Sequence, residues 1–224
     1  MLMKQAIKQQ RMWFKWHKQW LVFLGLLAFC SSVLVCHGIS ATTGTFALQN
    51  SLFDRFHFLV VYFPFTILIT LLVQQTRSVD IAATGTRRII FYQRLMRTAI
   101  IQTEFCLLWL LLVCVHLSIT AAIVHMNWLL FLMSMVTVWV SQLLVNFIVV
   151  CLMVHLRSKI AALIVTWLIL AGLFLIAVNH IPTLIFAFSV PQTPLRSAGN
   201  DVMLIGLILL SVSRMDALTT KEVL

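Results

Sequence analysis

Arginine and lysine in this chain fall almost wholly on alternate connections between apolar stretches, and that spacing dictates a membrane topology. Lys4, Lys8, Arg11, Lys15 and Lys18 precede the first stretch, and Arg77, Arg87, Arg88, Arg94 and Arg97 follow the second. Arg157 and Lys159 follow the fourth and Arg214 and Lys221 the last, which leaves only Arg55 and Arg196 on the other connections. Basic residues are retained on the cytoplasmic side during insertion, so the pattern predicts a multi-pass protein of the cell (inner or cytoplasmic) membrane with its amino terminus in the cytoplasm. A chain that is 62% apolar and 10% charged, with a mean hydropathy of +1.03, has too little polar surface for a soluble domain. Its formal charge of +10 then orients helices in membrane lipid and implies no nucleic-acid partner.

The fold class expected is all-α, a single transmembrane domain over residues 1–224 with six spans. Apolar runs at 20–36, 56–73, 99–124, 128–156 and 160–178 are each long enough for a bilayer core that needs about 20 helical residues. The first carries no Ala-x-Ala cleavage pattern after it and is expected to stay as a helix. A sixth run at 202–213 is doubtful, because Val202 to Val212 covers only about 17 Å of helix; it crosses if the helix starts near Gly199 and continues past Arg214. Residues 1–19 mix the lysines with Met12, Trp13, Phe14 and Trp16 and read as an amphipathic helix lying in the interface. Residues 179–201 hold Pro182, Pro191 and Pro194 around the apolar run Leu184 to Phe188, which predicts an extracellular segment re-entering the membrane or resting on headgroups.

Chemistry within a membrane needs ionisable groups brought together, and few are present. Glu104 is the acidic residue deep in a strong span, one helical face and two turns from Arg97; an ion pair with a neighbouring arginine is the simplest reading. Gln102, Cys106, Trp109, His116 and Thr120 share a stripe on the same helix, facing the bundle interior or a translocation path. Glu104, His116, Gln102 and Thr120 are therefore the candidate intramembrane polar residues. No His-Glu-x-x-His spacing suggests a metal, and Cys30, Cys36, Cys106, Cys114 and Cys151 all lie in apolar runs as small core residues. No phosphate-binding loop is present, so this chain is expected to bind no cofactor and not to be an enzyme by itself. Gly25, Ala28 and Ser32, then Ser134, Thr137 and Ser141, then Ala161, Ala162 and Thr166 mark faces where helices can approach closely. Phe46, Phe53, Phe56, Phe58 and Phe186 read as outer aromatic residues of the membrane interface.

The connection at 74–97 is the most specific segment. Ser78 can cap a short helix through Asp80 and Ile81, Gly85 can end it, and Thr86 can cap the next, which runs into the third span. This elbow, Thr84-Gly85-Thr86-Arg87-Arg88 followed by Phe91 and Arg94, resembles the Gly-x-x-Arg-Arg-x-x-Phe pattern after the second span of type-2 ATP-binding-cassette (ABC-2) exporter permeases. The order of elements resembles that family along most of the chain. The resemblance implies that residues 78–84 form a coupling helix, with Ser78, Asp80, Ile81, Gly85, Arg87 and Arg88 contacting a separate cytoplasmic ATPase that carries ATP and Mg. It also implies a second permease copy or similar permease, whose first and fifth spans help line the substrate route.

The expected function is thus the membrane subunit of an ATP-driven exporter, moving an amphipathic peptide or lipid-like substrate by alternating access. The alternative is a non-transport accessory, assembly or immunity subunit that binds another membrane protein. An intramembrane enzyme using Glu104 and His116 is the third reading.

Overall fold

The computed structural model describes residues 18–74, 87–179, 183–190 and 193–221, and these are helical with no strand among them. Helix α1 (Lys18–Cys36) is followed by α2 (Thr45–Leu52), the short α3 (Arg55–His57), a π-helical turn (Phe58–Tyr62) and α4 (Phe63–Val73). Then come α5 (Arg87–Ile119), α6 (Trp128–Leu156), α7 (Lys159–Val178) and α8 (Pro194–Lys221). Short 3₁₀ turns at Ala122–His125 and Ala187–Ser189 lie in the connections. An all-helical chain is what lipid demands, since a helix satisfies its peptide groups internally.

Among the described residues, five helical stretches are long and apolar enough to cross a membrane: Thr45–Val73, Ile90–Ile119, Trp128–Leu156, Lys159–Val178 and Pro194–Met215. The run at 20–36 lies in α1, a 19-residue helix whose apolar part among the described residues is Val22–Cys36, and the doubtful run at 202–213 belongs to a 22-residue apolar stretch. The last helix is hard to see in the sequence because Ser197 and Asp201 interrupt its hydropathy. Both lie on the side of α8 that meets α6, where Ser197 is buried. Residues 194–201, expected within the re-entrant segment, are the first two turns of α8, started by Pro194, which suits a helix start because no intrahelical bond needs its missing N–H.

The connections are closed by local chemistry. Asp54, Asn127 and Ser158 cap the starts of α3, α6 and α7, accepting from the backbone N–H of His57, Leu130 and Ala161 respectively. Arg157 has φ 53° and so turns α6 directly into α7. The π turn ends two residues before Pro64, whose ring removes a backbone donor in mid-span; the wider i to i+5 bond from Phe63 to Phe58 accommodates the break.

Helix α6 is the hub, packing against α4, α5, α7 and α8, while α1 lies along α5. Side-chain contacts set the directions. Tyr62 meets Gln142 and Thr70 meets Asn146, so α4 and α6 run together; Gln74 meets Thr98 while Thr70 meets Gln102, so α5 runs against them. Thr137 meets Ser197, and Val212 and Met215 pack on a cluster holding Val150, so α8 is parallel to α6. One end of the bundle therefore collects the starts of α5 and α7 and the finishes of α4, α6 and α8, with Arg94, Arg97, Arg157, Lys159 and Arg214. The opposite end is aromatic. There Phe186 and Phe188, from the connection before α8, are buried, with Phe188 4.5 Å from Phe58 and Phe186 5.9 Å from Phe63 between ring centroids. Phe53, Phe58 and Phe186, expected at the outer surface, are core residues; only Phe46 and Phe56 of that set are exposed.

Helix α7 is held at both ends by cations from or to its neighbour. Arg55 Nη1 donates to the carbonyl of Ala177, in the last turn of α7, and Lys159 Nζ, at its start, donates to the carbonyl of Leu71 near the end of α4 (3.0 Å). Each places a positive charge at the negative end of a helix dipole and satisfies a carbonyl there. Replacing Arg55 or Lys159 with Met should each lower unfolding free energy by about 1–2 kcal/mol in detergent, Arg55→Met the more because its side chain is half-buried. The two sites are about 27 Å apart along α7, so the double variant should show the sum of the single losses to within about 0.5 kcal/mol; reversible unfolding in mixed micelles measures both.

Candidate functional site

Six neutral polar side chains from consecutive parts of three helices meet in the middle of the bundle. Tyr62, Thr66, Thr70, Gln102, Gln142 and Asn146 are each 2% exposed or less. Their placement follows from helical spacing: Tyr62, Thr66 and Thr70 are four residues apart, as are Gln142 and Asn146, so each set forms a row along one face.

The hydrogen bonds form a closed set. Gln142 Nε2 donates to both Gln102 O (3.0 Å) and Gln102 Oε1, while Gln142 Oε1 accepts from the Tyr62 hydroxyl (2.8 Å). Gln102 Nε2 donates to Thr66 O (2.8 Å) and Thr70 Oγ1 (2.7 Å), and the Thr70 hydroxyl in turn donates to Asn146 Oδ1 (2.7 Å). Asn146 Nδ2 donates to Thr66 Oγ1 (3.1 Å) and Gln142 O (2.8 Å), and Thr66 donates to Phe63 O (2.9 Å). All three amide nitrogens use both hydrogens. Toward the basic end, Gln74 Nε2 continues the row to Thr98 Oγ1 (2.7 Å) and Arg94 O (3.1 Å).

Such a set can lock helices in register but offers no group that titrates near neutrality, so general acid–base chemistry does not belong to it. Tyr62 joins it to the aromatic end, with its ring 5.3 Å from that of Trp109 and 4.8 Å from that of Phe58. Trp109 in turn donates to Ser31 Oγ of α1 (3.1 Å), which lies 3.2 Å from His57 Nε2.

The candidate residues read from the sequence separate. Gln102, with Cys106 and Trp109, is buried in the interior. His116 and Thr120 of the same stripe are half-exposed at the aromatic end, where the Thr120 hydroxyl bonds the His116 carbonyl of its own helix (3.1 Å). Glu104 is half-buried, and its Oε2 has no hydrogen-bond partner among the described residues, so pairing with an arginine does not extend to that atom. Glu104 and His116 stand about 18 Å apart along α5 and are not brought together. Ser78, Asp80, Ile81 and Gly85 lie outside the described residues, and Arg87 and Arg88 form the first turn of α5. Thr66, Thr70, Gln142 and Asn146 are site residues that the sequence reading does not single out, although polar residues four apart within apolar runs are the signal that could have found them.

At the aromatic end a small cleft, with room for about one water molecule, is lined by Gln49, Ser134, Thr137 and Ser197 together with Leu130 and Phe188. Gln49 Nε2 donates to Ser134 Oγ (3.1 Å) and Thr137 Oγ1 is 3.4 Å from Ser197 Oγ. Among known proteins, no family model, no curated sequence and no solved structure matches this chain.

Gln142→Leu removes the side chain that connects Tyr62 to Gln102 and should cost about 1–3 kcal/mol by leaving buried partners unmade. In a double-mutant cycle of Thr70→Val with Asn146→Leu, the coupling energy should fall at about 0.6–1.7 kcal/mol, the range for hydrogen bonds between membrane helices; unfolding in micelles reads it directly.

Proposed function

We propose that the chain is the membrane subunit of an ATP-driven exporter of the ABC-2 type, paired with a cytoplasmic ATPase and with a second permease. The observation that carries this reading is α5. It runs unbroken for 33 residues from Arg87, about 50 Å and well beyond the roughly 30 Å of a bilayer core. Its first turns, with Arg87, Arg88, Arg94 and Arg97, thus continue the basic elbow outside the hydrocarbon as a rigid lever joined to the bundle interior through Gln102. A docking event at residues 78–88 would be felt directly by the polar row.

The interior of one chain is filled by the polar row and the aromatic cluster, so a substrate route belongs at the interface with a second copy. Helices α7 and α8 suit that interface, since 22% and 11% of their apolar windows are buried within one chain. With α1 completing a sixth crossing, both termini lie in the cytoplasm, the basic end faces inward, and ATP and Mg sit on the partner. The filled interior equally suits an accessory or immunity subunit that acts by binding another membrane protein.

Gentle purification from the native membrane followed by an ATP hydrolysis assay separates the two. The exporter reading expects a stoichiometric ATPase that is lost from an Asp80→Lys, Arg87→Glu double variant; recovery with an unrelated membrane protein and no ATPase would replace it with the accessory reading. Topology is tested independently by single cysteines on a cysteine-free background. A membrane-impermeant maleimide should label Leu195→Cys in intact cells and Lys221→Cys only after permeabilisation, and the reverse pattern would invert the orientation.

A further inference from the structure

Two buried side-chain oxygen atoms, Ser141 Oγ on α6 and Asp201 Oδ1 on α8, lack a hydrogen-bond partner among the described residues. The register of the two helices relates them. Thr137 faces Ser197 at 3.4 Å, and because α6 and α8 run parallel, one further turn on each brings Ser141 level with Asp201. The Thr137 hydroxyl also lies within hydrogen-bonding reach of the Asp201 carboxylate. Ser141 is fully buried, Thr137 is 2% exposed and Ser197 7% exposed. Thr137 and Ser197 also line the small cleft, together with Gln49 and Ser134.

An ionised carboxylate about 11 Å along a membrane helix is costly unless a proton or a cation neutralises it. The register sets the hydroxyls of Thr137, Ser141 and Ser197 along this stretch, and a hydroxyl is a hard oxygen donor that can turn its lone pairs toward a cation while its hydrogen bonds elsewhere. We propose that Asp201, Ser141, Thr137 and Ser197 form a binding site for a single sodium ion between α6 and α8, entered through the cleft at the aromatic end. One carboxylate matches one positive charge. A divalent ion would leave excess charge in an apolar setting, and calcium takes six to eight oxygens in a larger cage. Bound sodium supplies the missing partner to both Ser141 Oγ and Asp201 Oδ1 and adds a polar link to the contact that α6 and α8 already make. The site stands independently of any ATPase partner.

The test uses the full chain purified in detergent. Equilibrium binding of radioactive sodium should be stoichiometric with chain, and thermal unfolding should shift upward in sodium chloride but not in choline chloride of equal ionic strength. Asp201→Asn should abolish both effects, and Ser141→Ala, a change small enough to preserve packing, should weaken sodium binding about tenfold or more. Glu104→Gln, which alters the other carboxylate with an unpartnered buried oxygen, should retain both. An equal stabilisation by choline, sodium binding that survives in Asp201→Asn and Ser141→Ala alike, or the absence of sodium binding by the native chain would each overturn the site. Should Asp201→Asn fail to fold, the Ser141→Ala affinity decides.

Discussion

The amide pair between Gln102 and Gln142 is the contact on which the interior depends. In lipid, apolar side chains gain little by leaving one apolar surface for another, so helices are selected by packing and by polar groups that have nowhere else to bond. Gln142 uses both amide hydrogens on Gln102 and its oxygen on Tyr62, while Gln102 uses its hydrogens on Thr66 and Thr70. A shift of α5 along α6 by one residue would break the bonds between them together, and nothing in the apolar surroundings could replace them. The register of α4, α5 and α6 is set in this way, and the aromatic end is then assembled against it through Tyr62.

Much of this is legible in the sequence. Length and apolarity indicate the helices, and the alternating basic residues indicate a bundle with one basic end, which the helix directions reproduce among the described residues. The spacing of Ser134, Thr137 and Ser141 marks a close-contact face, and Thr137 does meet α8. What hydropathy hides is the role of polar interruptions. Thr66, Thr70, Gln142 and Asn146 lower the apparent quality of a span, yet each is paired inside. Ser197 and Asp201 make the last span look too short, because an average over a window does not record which face a residue occupies. Phe53, Phe58 and Phe186 are misread as outer residues for a related reason: sequence position near a span end does not reveal that the connection before α8 folds back to cover Phe53 and Phe58.

The aromatic end shows how one proline organises its surroundings. Pro64 removes a donor within a crossing, and the π turn before it absorbs the change. A π turn inserts a residue relative to α-helical spacing, so it rotates the helical segment on its amino-terminal side by about 100° against the segment on its carboxyl-terminal side. Phe58 is thereby presented to Phe188 and Trp109 while Thr66 and Thr70 still face the polar row. A straight helix through this sequence would align one set at the expense of the other.

The reciprocal cation contacts of Arg55 and Lys159 have a mechanical meaning. With a fastener at each extremity, α7 and the α3–α4 segment form a two-helix beam that resists sliding, because a slip in either direction detaches both ends at once. Rotation of the beam as a unit detaches neither. Any large movement in this protein is therefore expected to hinge where the beam meets its neighbours, at the tight Arg157 turn and at the connection leading into α8, rather than by shear within it.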